Sequence, residues 1–465
     1  MKRGLIFSAF VLLAVSSCAQ QQSSEESGIA GCQQGMNMSG HQHAGMNMSG
    51  HQHAGMTMPM TGSQPSPMML FASGTAWEPA QTPEAGWHWV RGGWQLMVHG
   101  NLFVTFDHEG GPRGVGKLES MNFAMLMQQH RLGHGTILFR QMLSAEPLTA
   151  PHGGFPELFQ TGETYHGAPL VDRQHPHDVF AEISVTYLLP IHGDRVQWLF
   201  YGGPAGEPAL GPVAYIHRAS AMNLPQAPLS HHLQDSTHIS YGVVTSGFIF
   251  GVTQHSQLKL EASAFNGREP DERRYNFDFA PLDSWSVRAS ARIGERWAAQ
   301  YSIGHLVHPE AIEPGNLTRQ TASVQYSRVS GSHEWLNTIV WGRNRKQFAT
   351  SPQNSYLLES LLRHKRNAAF TRMELVDKDE LFPPEQTYPP TESAATAGLI
   401  GREFRIGAYT FGASHSLVQR DRLDVALGAD FTVYSKPATL DAFYGRDPVG
   451  FQIFLRFRPG AMQMH

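Results

Sequence analysis

Period-two alternation of apolar and polar residues, repeated from Trp94 to Arg458, limits what this chain can fold into more than any other feature. In the last such stretch, VGFQIFLRFR, Val449, Phe451, Ile453, Leu455 and Phe457 share one face, while Gly450, Gln452, Phe454, Arg456 and Arg458 share the other. The first stretch places Trp94, Leu96, Val98, Leu102, Val104 and Phe106 together, and Leu423, Val425, Leu427, Ala429, Phe431 and Val433 repeat the pattern near the end. A tilted strand of about ten residues crosses an outer membrane. The connections add a second constraint. Long segments at 108–117, 146–177, 203–237, 267–281, 308–318, 344–354, 378–402 and 435–448 alternate with tight turns such as Gly294-Glu295-Arg296 and His364-Lys365-Arg366-Asn367. Strict long–short alternation that starts and ends on a long connection is what an even-stranded outer-membrane barrel needs. The expectation is an all-β, transmembrane outer-membrane barrel of about sixteen antiparallel strands; the less regular stretches near 355–377 and 403–418 leave room for about fourteen to eighteen.

Composition removes the competing classes. No run of eighteen apolar residues marks a helical span. Charged residues make up 16% and aromatics 10%, with 46 glycines, a mixture that suits strands with one face in lipid and one in water. A net charge of −4 points to no nucleic-acid partner. The two cysteines, Cys18 and Cys32, precede every strand, so no disulfide framework holds the fold.

The N-terminus reads as an export signal. Lys2 and Arg3 precede an apolar run from Leu5 to Val15, and Val-Ser-Ser-Cys resembles a lipobox in which Cys18 is lipidated. Residues 1–18 are therefore expected to be a signal peptide, 19–93 a disordered Met/His-rich tail and linker, and 94–465 the barrel. Within the tail, GMNMSGHQHA occurs twice and begins a third time. Met36, Met38, Met46, Met48, Met56, Met58 and Met60 alternate with His41, His43, His51 and His53 among Gly, Ser, Asn and Gln. No core can form from such residues, so packing does not explain the methionines. Thioethers prefer Cu(I) or Ag(I), and imidazole also takes Cu(II) or Zn(II). The tail is read as a copper ligand set, with Cu(I) preferred.

Two long loops concentrate His and carboxylates. One carries His175 and His177, the other His231 and His232 with Asp235. His175 with His177, or His231 and His232 with Asp235, could form an N/O site for a divalent metal; the first reading is structural, with imidazoles and carboxylates pinning loops across the pore. Whether the pore is open depends on how 146–177 and 203–237 fold. The charged run from Arg268 to Arg274 reads first as a solvated, mutually paired loop and second as a constriction. No nucleophile elbow or phosphate-binding loop occurs, so no enzymatic activity is expected.

The blocks LVDRQHPHD, GEPALGPVAYIHRAS, DSTHISYGVVTSG and FNGREPDERRYNFDF resemble a family of bacterial outer-membrane barrels that occurs alongside copper and heavy-metal resistance systems. The resemblance implies a barrel in a metal-stress context and transfers no ligand residues. A Met/His-rich tail before a barrel is also similar in plan to copper-resistance protein B. The resulting expectation is an outer-membrane protein with its tail in the periplasm, acting in copper sequestration, resistance or efflux. Its partners would be membrane lipid, metal ions and periplasmic copper-handling proteins. A general porin with an incidental tail is the second reading, and an outer-membrane hydrolase a distant third.

Overall fold

The structure, a computed structural model, describes residues 67–460 apart from 151–152, 194, 236–238, 254, 385 and 387–394. The export segment with Cys18, and the repeat with its eleven candidate ligands, lie outside the described residues.

A short strand β1 (Trp87–Arg91) forms a hairpin with β2 (Trp94–Glu109), whose other edge carries β3 (Gly116–Glu119) and β4 (Asn122–Leu132). The wall continues through β5 (Gly135–Leu143), and a separate hairpin follows, β6 (Phe155–Tyr165) with β7 (Ala168–Gln174). It resumes with β8 (Phe180–His192), β9 (Val196–Ala205), β10 (Val243–Thr253), β11 (Ser256–Phe265), β12 (Ser284–Ile293) and β13 (Trp297–Leu306). The remaining strands are β14 (Leu317–Ser330), β15 (His333–Lys346), β16 (Gln353–His364), β17 (Asn367–Lys378), β18 (Phe404–Arg420), β19 (Leu423–Ser435) and β20 (Val449–Arg458). Each wall strand pairs antiparallel with the next, and β20 returns to β2 from Phe457 opposite Leu102 to Gly450 opposite Glu109. The result is a closed barrel of 16 strands, with β1 and β3 as extensions on the edges of β2.

Local chemistry sets the turns. The connections Gly133-His134, Gly331-Ser332 and Lys365-Arg366 leave two residues between strands, and such hairpins favour positive φ at the first central position. Gly133, Gly331 and Lys365 adopt φ of 59°, 57° and 54°. Lipid sets the faces. Phe106 is 46% exposed while Thr105 and Asp107 beside it are 1% and 0% exposed, so apolar residues face outward and charges inward, the reverse of a soluble barrel.

The lumen is filled by the chain itself. The segment after β9 crosses it and touches the wall on many sides. Ala209 N–H donates to Ser263 Oγ on β11, Gly211 N–H to Ser302 Oγ on β13, and Ser230 N–H to Glu374 on β17. Arg218 makes a two-pronged ion pair with Glu359 on β16 at 2.8 and 3.0 Å, Ser220 Oγ also donates to Glu359, and Arg456 on β20 donates to Asn223. We call this crossing segment the plug.

The expected linker through residue 93 is corrected over its described part. Leu70, Phe71 and Trp77 are buried, and the carbonyls of this segment receive wall cations: Arg140 donates to Phe71 and Gly74, Lys259 to Thr75, and Arg292 to Glu78. Proline and glycine suit a strand-free path here rather than a free one. Buried cations need acceptors, and backbone carbonyls supply them.

Candidate metal centre in the plug

Two loops bring three imidazoles together. His175 follows β7; His231 and His232 begin a single helical turn, His231–Gln234. That turn is tied to the wall: Ser230 Oγ donates to Glu374 at 2.6 Å, Arg319 Nη1 to Asp235 O at 2.9 Å, and Asn344 Nδ2 to His232 O at 3.2 Å. One ring nitrogen each from His175, His231 and His232 falls within 4.8 Å of the others. Gly162 makes room for this packing, because a Cβ there would collide with the His232 ring.

Each imidazole has a carboxyl group near its Nδ1, and at His231 the two are hydrogen-bonded. His231 Nδ1 lies 2.7 Å from Asp235 Oδ2, His175 Nδ1 3.2 Å from Glu163 Oε1, and His232 Nδ1 3.5 Å from Glu269 Oε1. At His231 the hydrogen-bonded carboxylate of Asp235 fixes the tautomer that presents Nε2 as a lone pair and raises its basicity, an arrangement that recurs behind metal-ligating histidines. His175 Nδ1 also lies 3.2 Å from Pro176 O, and burial pushes Glu163 up to about 7 and Glu269 to about 8. Burial, the largest influence on all three rings, lowers His231 to about 4 and His232 to about 3, and holds His175 well below its ordinary value. The rings are therefore neutral at physiological pH, the form that ligates. Asp235 is held low despite burial by its bond to His231 and by Arg218. The set fits a borderline divalent ion such as Zn(II) or Cu(II).

The expected groupings are corrected. His175 does not join with His177: the His177 ring and backbone N–H both address Glu146, at 2.7 and 2.8 Å. Burial works to lower His177, yet Glu146 raises it above its ordinary value. His177 is a loop pin, and the cluster draws on both loops instead of one. Asp235 orients His231 rather than standing as an equal ligand beside the pair. Sequence reasoning missed Glu163 and Glu269; only their place in carboxylate-rich loops could have pointed to them. The charged run from Arg268 divides as well. Arg268 pairs with Asp283 at the surface, whereas Arg274 is buried between Glu163 and Asp178. A second convergent group, Glu313, Asp379 and Glu380, already surrounds Lys346 Nζ at 2.7, 3.0 and 2.8 Å.

No protein-family model matches the chain, and no curated protein matches it. Among solved structures it is similar to an anion-selective porin from Comamonas acidovorans (9% identity, 78% of this chain and 99% of that one, TM-score 0.45). It is also similar to Salmonella typhi OmpF in complex with daunomycin (8% identity, 80% and 100%, TM-score 0.47). A third is the outer membrane channel DcaP of Acinetobacter baumannii (10% identity, 81% and 100%, TM-score 0.41). Likeness at this level carries no argument about ligand or activity, and the resemblance to a metal-resistance family gains no support from it. The barrel assignment rests on the closed sheet and its inverted faces.

Proposed function

We propose that this protein is an outer-membrane barrel, closed by its own plug, that binds and retains transition-metal ions, with copper as the principal one. The observation that supports this reading most is the convergence of His175, His231 and His232, each with a carboxyl group near its Nδ1, in the interior of a wall built for lipid. The tail motif supplies a soft ligand set of a different kind on the same chain. In even-stranded barrels the short-turn end faces the periplasm, and the tail is proposed to lie on that side, anchored through Cys18. Handing ions to periplasmic copper-handling proteins would follow from that placement.

The test is copper tolerance of a strain lacking the protein. The full chain should restore growth, and a chain whose Met and His residues between 35 and 60 are replaced by Leu and Asn should not. Equal rescue by both would remove the tail from the function.

A solute channel is the second reading, favoured by strand number: sixteen strands enclose an aqueous lumen when nothing fills it. Planar-bilayer recording separates the two. Retention by a closed barrel predicts no steady large conductance for the wild type, whereas a steady open level would make the channel the better reading.

A further inference from the structure

We propose a second metal site in the barrel, made by His99, His217, Met125 and Met142, that takes a soft monovalent cation, Cu(I) or Ag(I). It needs neither the tail nor the imidazole trio, so it stands or falls separately from the function proposed above.

Strand register builds most of the site. On the lumenal face, His99 of β2 stands directly opposite Met125 of β4, and Met125 stands opposite Met142 of β5. The plug adds His217. His99 Nε2 lies 3.3 Å from Met125 Sδ, His217 Nε2 lies 3.2 Å from Met142 Sδ, and the two imidazole centroids are 5.5 Å apart. Nitrogen and sulfur bound to one tetrahedral ion, at about 2.0 and 2.3 Å from it, sit roughly 3.5 Å from each other. The observed pairs are close to that spacing.

His217 makes a structural explanation insufficient. It is 8% exposed, thioether sulfur is a weak acceptor, and among the described residues no hydrogen-bond partner reaches its Nδ1. A buried imidazole satisfied only by sulfur is costly unless it does something else. Methionine as a mere gap-filler does not account for the grouping either. Another apolar patch in the lumen uses Leu336, Leu361, Phe370 and Phe454, whereas this one gathers Met97, Met125, Met127 and Met142.

The charge balance selects the ion. All four ligands are neutral, and the nearby cation Arg140 is already paired with Glu182 at 2.7 Å. A divalent ion here would leave two uncompensated charges in a desolvated site; a monovalent one leaves half as much. Sulfur donors favour soft ions in the same direction. Met68, in the segment that follows the tail, packs into this cluster, and its N–H donates to Gln129 Oε1 at 2.9 Å.

The experiment uses the full chain in detergent micelles, with the tail's Met and His residues replaced as above so that they contribute no binding. Titration with Ag(I) against a competing chelator should show one tightly held ion. Met125→Leu with Met142→Leu should weaken it by at least about 100-fold, and volume-conserving swaps of this kind are well tolerated in packed interiors. Unchanged Ag(I) affinity in the double variant, or no Ag(I) bound by the parent, would overturn the proposal. Should the double variant fail to assemble, His217→Asn on the plug gives the answer without touching the wall: Ag(I) affinity should fall at least about tenfold, and equal affinity would overturn the proposal. X-ray absorption on bound Cu(I) should show both sulfur and nitrogen neighbours; a shell without sulfur would also overturn it.

Discussion

The two imidazole clusters of the lumen differ in what stands behind the rings. His175, His231 and His232 lie beside Glu163, Asp235 and Glu269, whereas His99 and His217 meet Met125 and Met142. Imidazole is common to both, so its neighbours would decide which ion each proposed site takes. Asp235, held ionised, would supply counter-charge for a divalent metal; thioethers supply polarisability and no charge, which suits a monovalent one. The clusters also differ in origin. The thioether set is displayed mainly by wall strands in fixed register, the carboxylate set by loops and the separate β6–β7 hairpin. One residue stands between them: Arg218 follows His217 in sequence, pairs with Glu359, and lies 3.5 Å from Asp235.

Arg218→Met should therefore break the comparison altogether, with the largest effect. Removing one partner of a buried ion pair costs about 3–5 kcal/mol, because the remaining charge stays buried. Glu359 would retain Arg372 and Ser220. The plug should loosen, Zn(II) and Ag(I) affinities should fall together, and conductance should appear in planar bilayers. If both affinities survive in a conducting barrel, the plug does not organise the sites.

A sharper separation comes from His231→Ala with His232→Ala in the tail-substituted chain. Zn(II) affinity, read by competition with a chromophoric chelator, should fall by more than the roughly 100-fold that loss of an outer hydrogen-bond partner can cost. Ag(I) affinity should not move. A parallel fall in Ag(I) would mean that the two clusters act as one.

Asp235→Asn tests the carboxylate alone. It keeps the shape, weakens the hold on the His231 ring, and should lower Zn(II) affinity about 10- to 100-fold while leaving Ag(I) untouched.

The smallest expected effect is pH-dependent. Burial raises Glu78 to about 7 and Glu207 to about 8. Glu78 accepts the Ala219 N–H at 2.8 Å and faces Arg292 and Arg218; Glu207 faces Glu182, Arg140 and Ser73. Between the ordinary carboxylate range and about pH 8 the folded chain holds protons that the unfolded chain has lost, so stability declines as pH rises through that window. The barrel should therefore unfold at a lower temperature at about pH 9 than at about pH 6. Glu207→Gln, which cannot ionise, should flatten part of that dependence, and an unchanged profile would assign it to other groups.

The sequence alone determined the wall. Alternation placed strands over Leu423 to Val433 and Val449 to Arg458, and they occur at Leu423–Ser435 and Val449–Arg458. The physical reason is local: every lipid-crossing strand must present one apolar face and close with a tight turn, so each ten-residue stretch carries its own record of the fold. Where the constraint was not local, the reading slipped. The long connection expected to end at 237 gives way to a strand only at Val243, because Ser240 pairs with Gly206 in the plug. The Pro- and Gly-rich stretch before the barrel read as linker, yet Leu70, Phe71 and Trp77 hold it in place. Whether the lumen is filled, and which histidines meet, was decided only by tertiary structure. Long loops carry no periodicity, and their path is set by buried charges such as Arg218, Glu359 and Arg319, whose partners lie more than eighty residues away. The Met125–Met142 pairing was implicit in the alternation of two adjacent strands, but its meaning appeared only when the plug placed His217 against it.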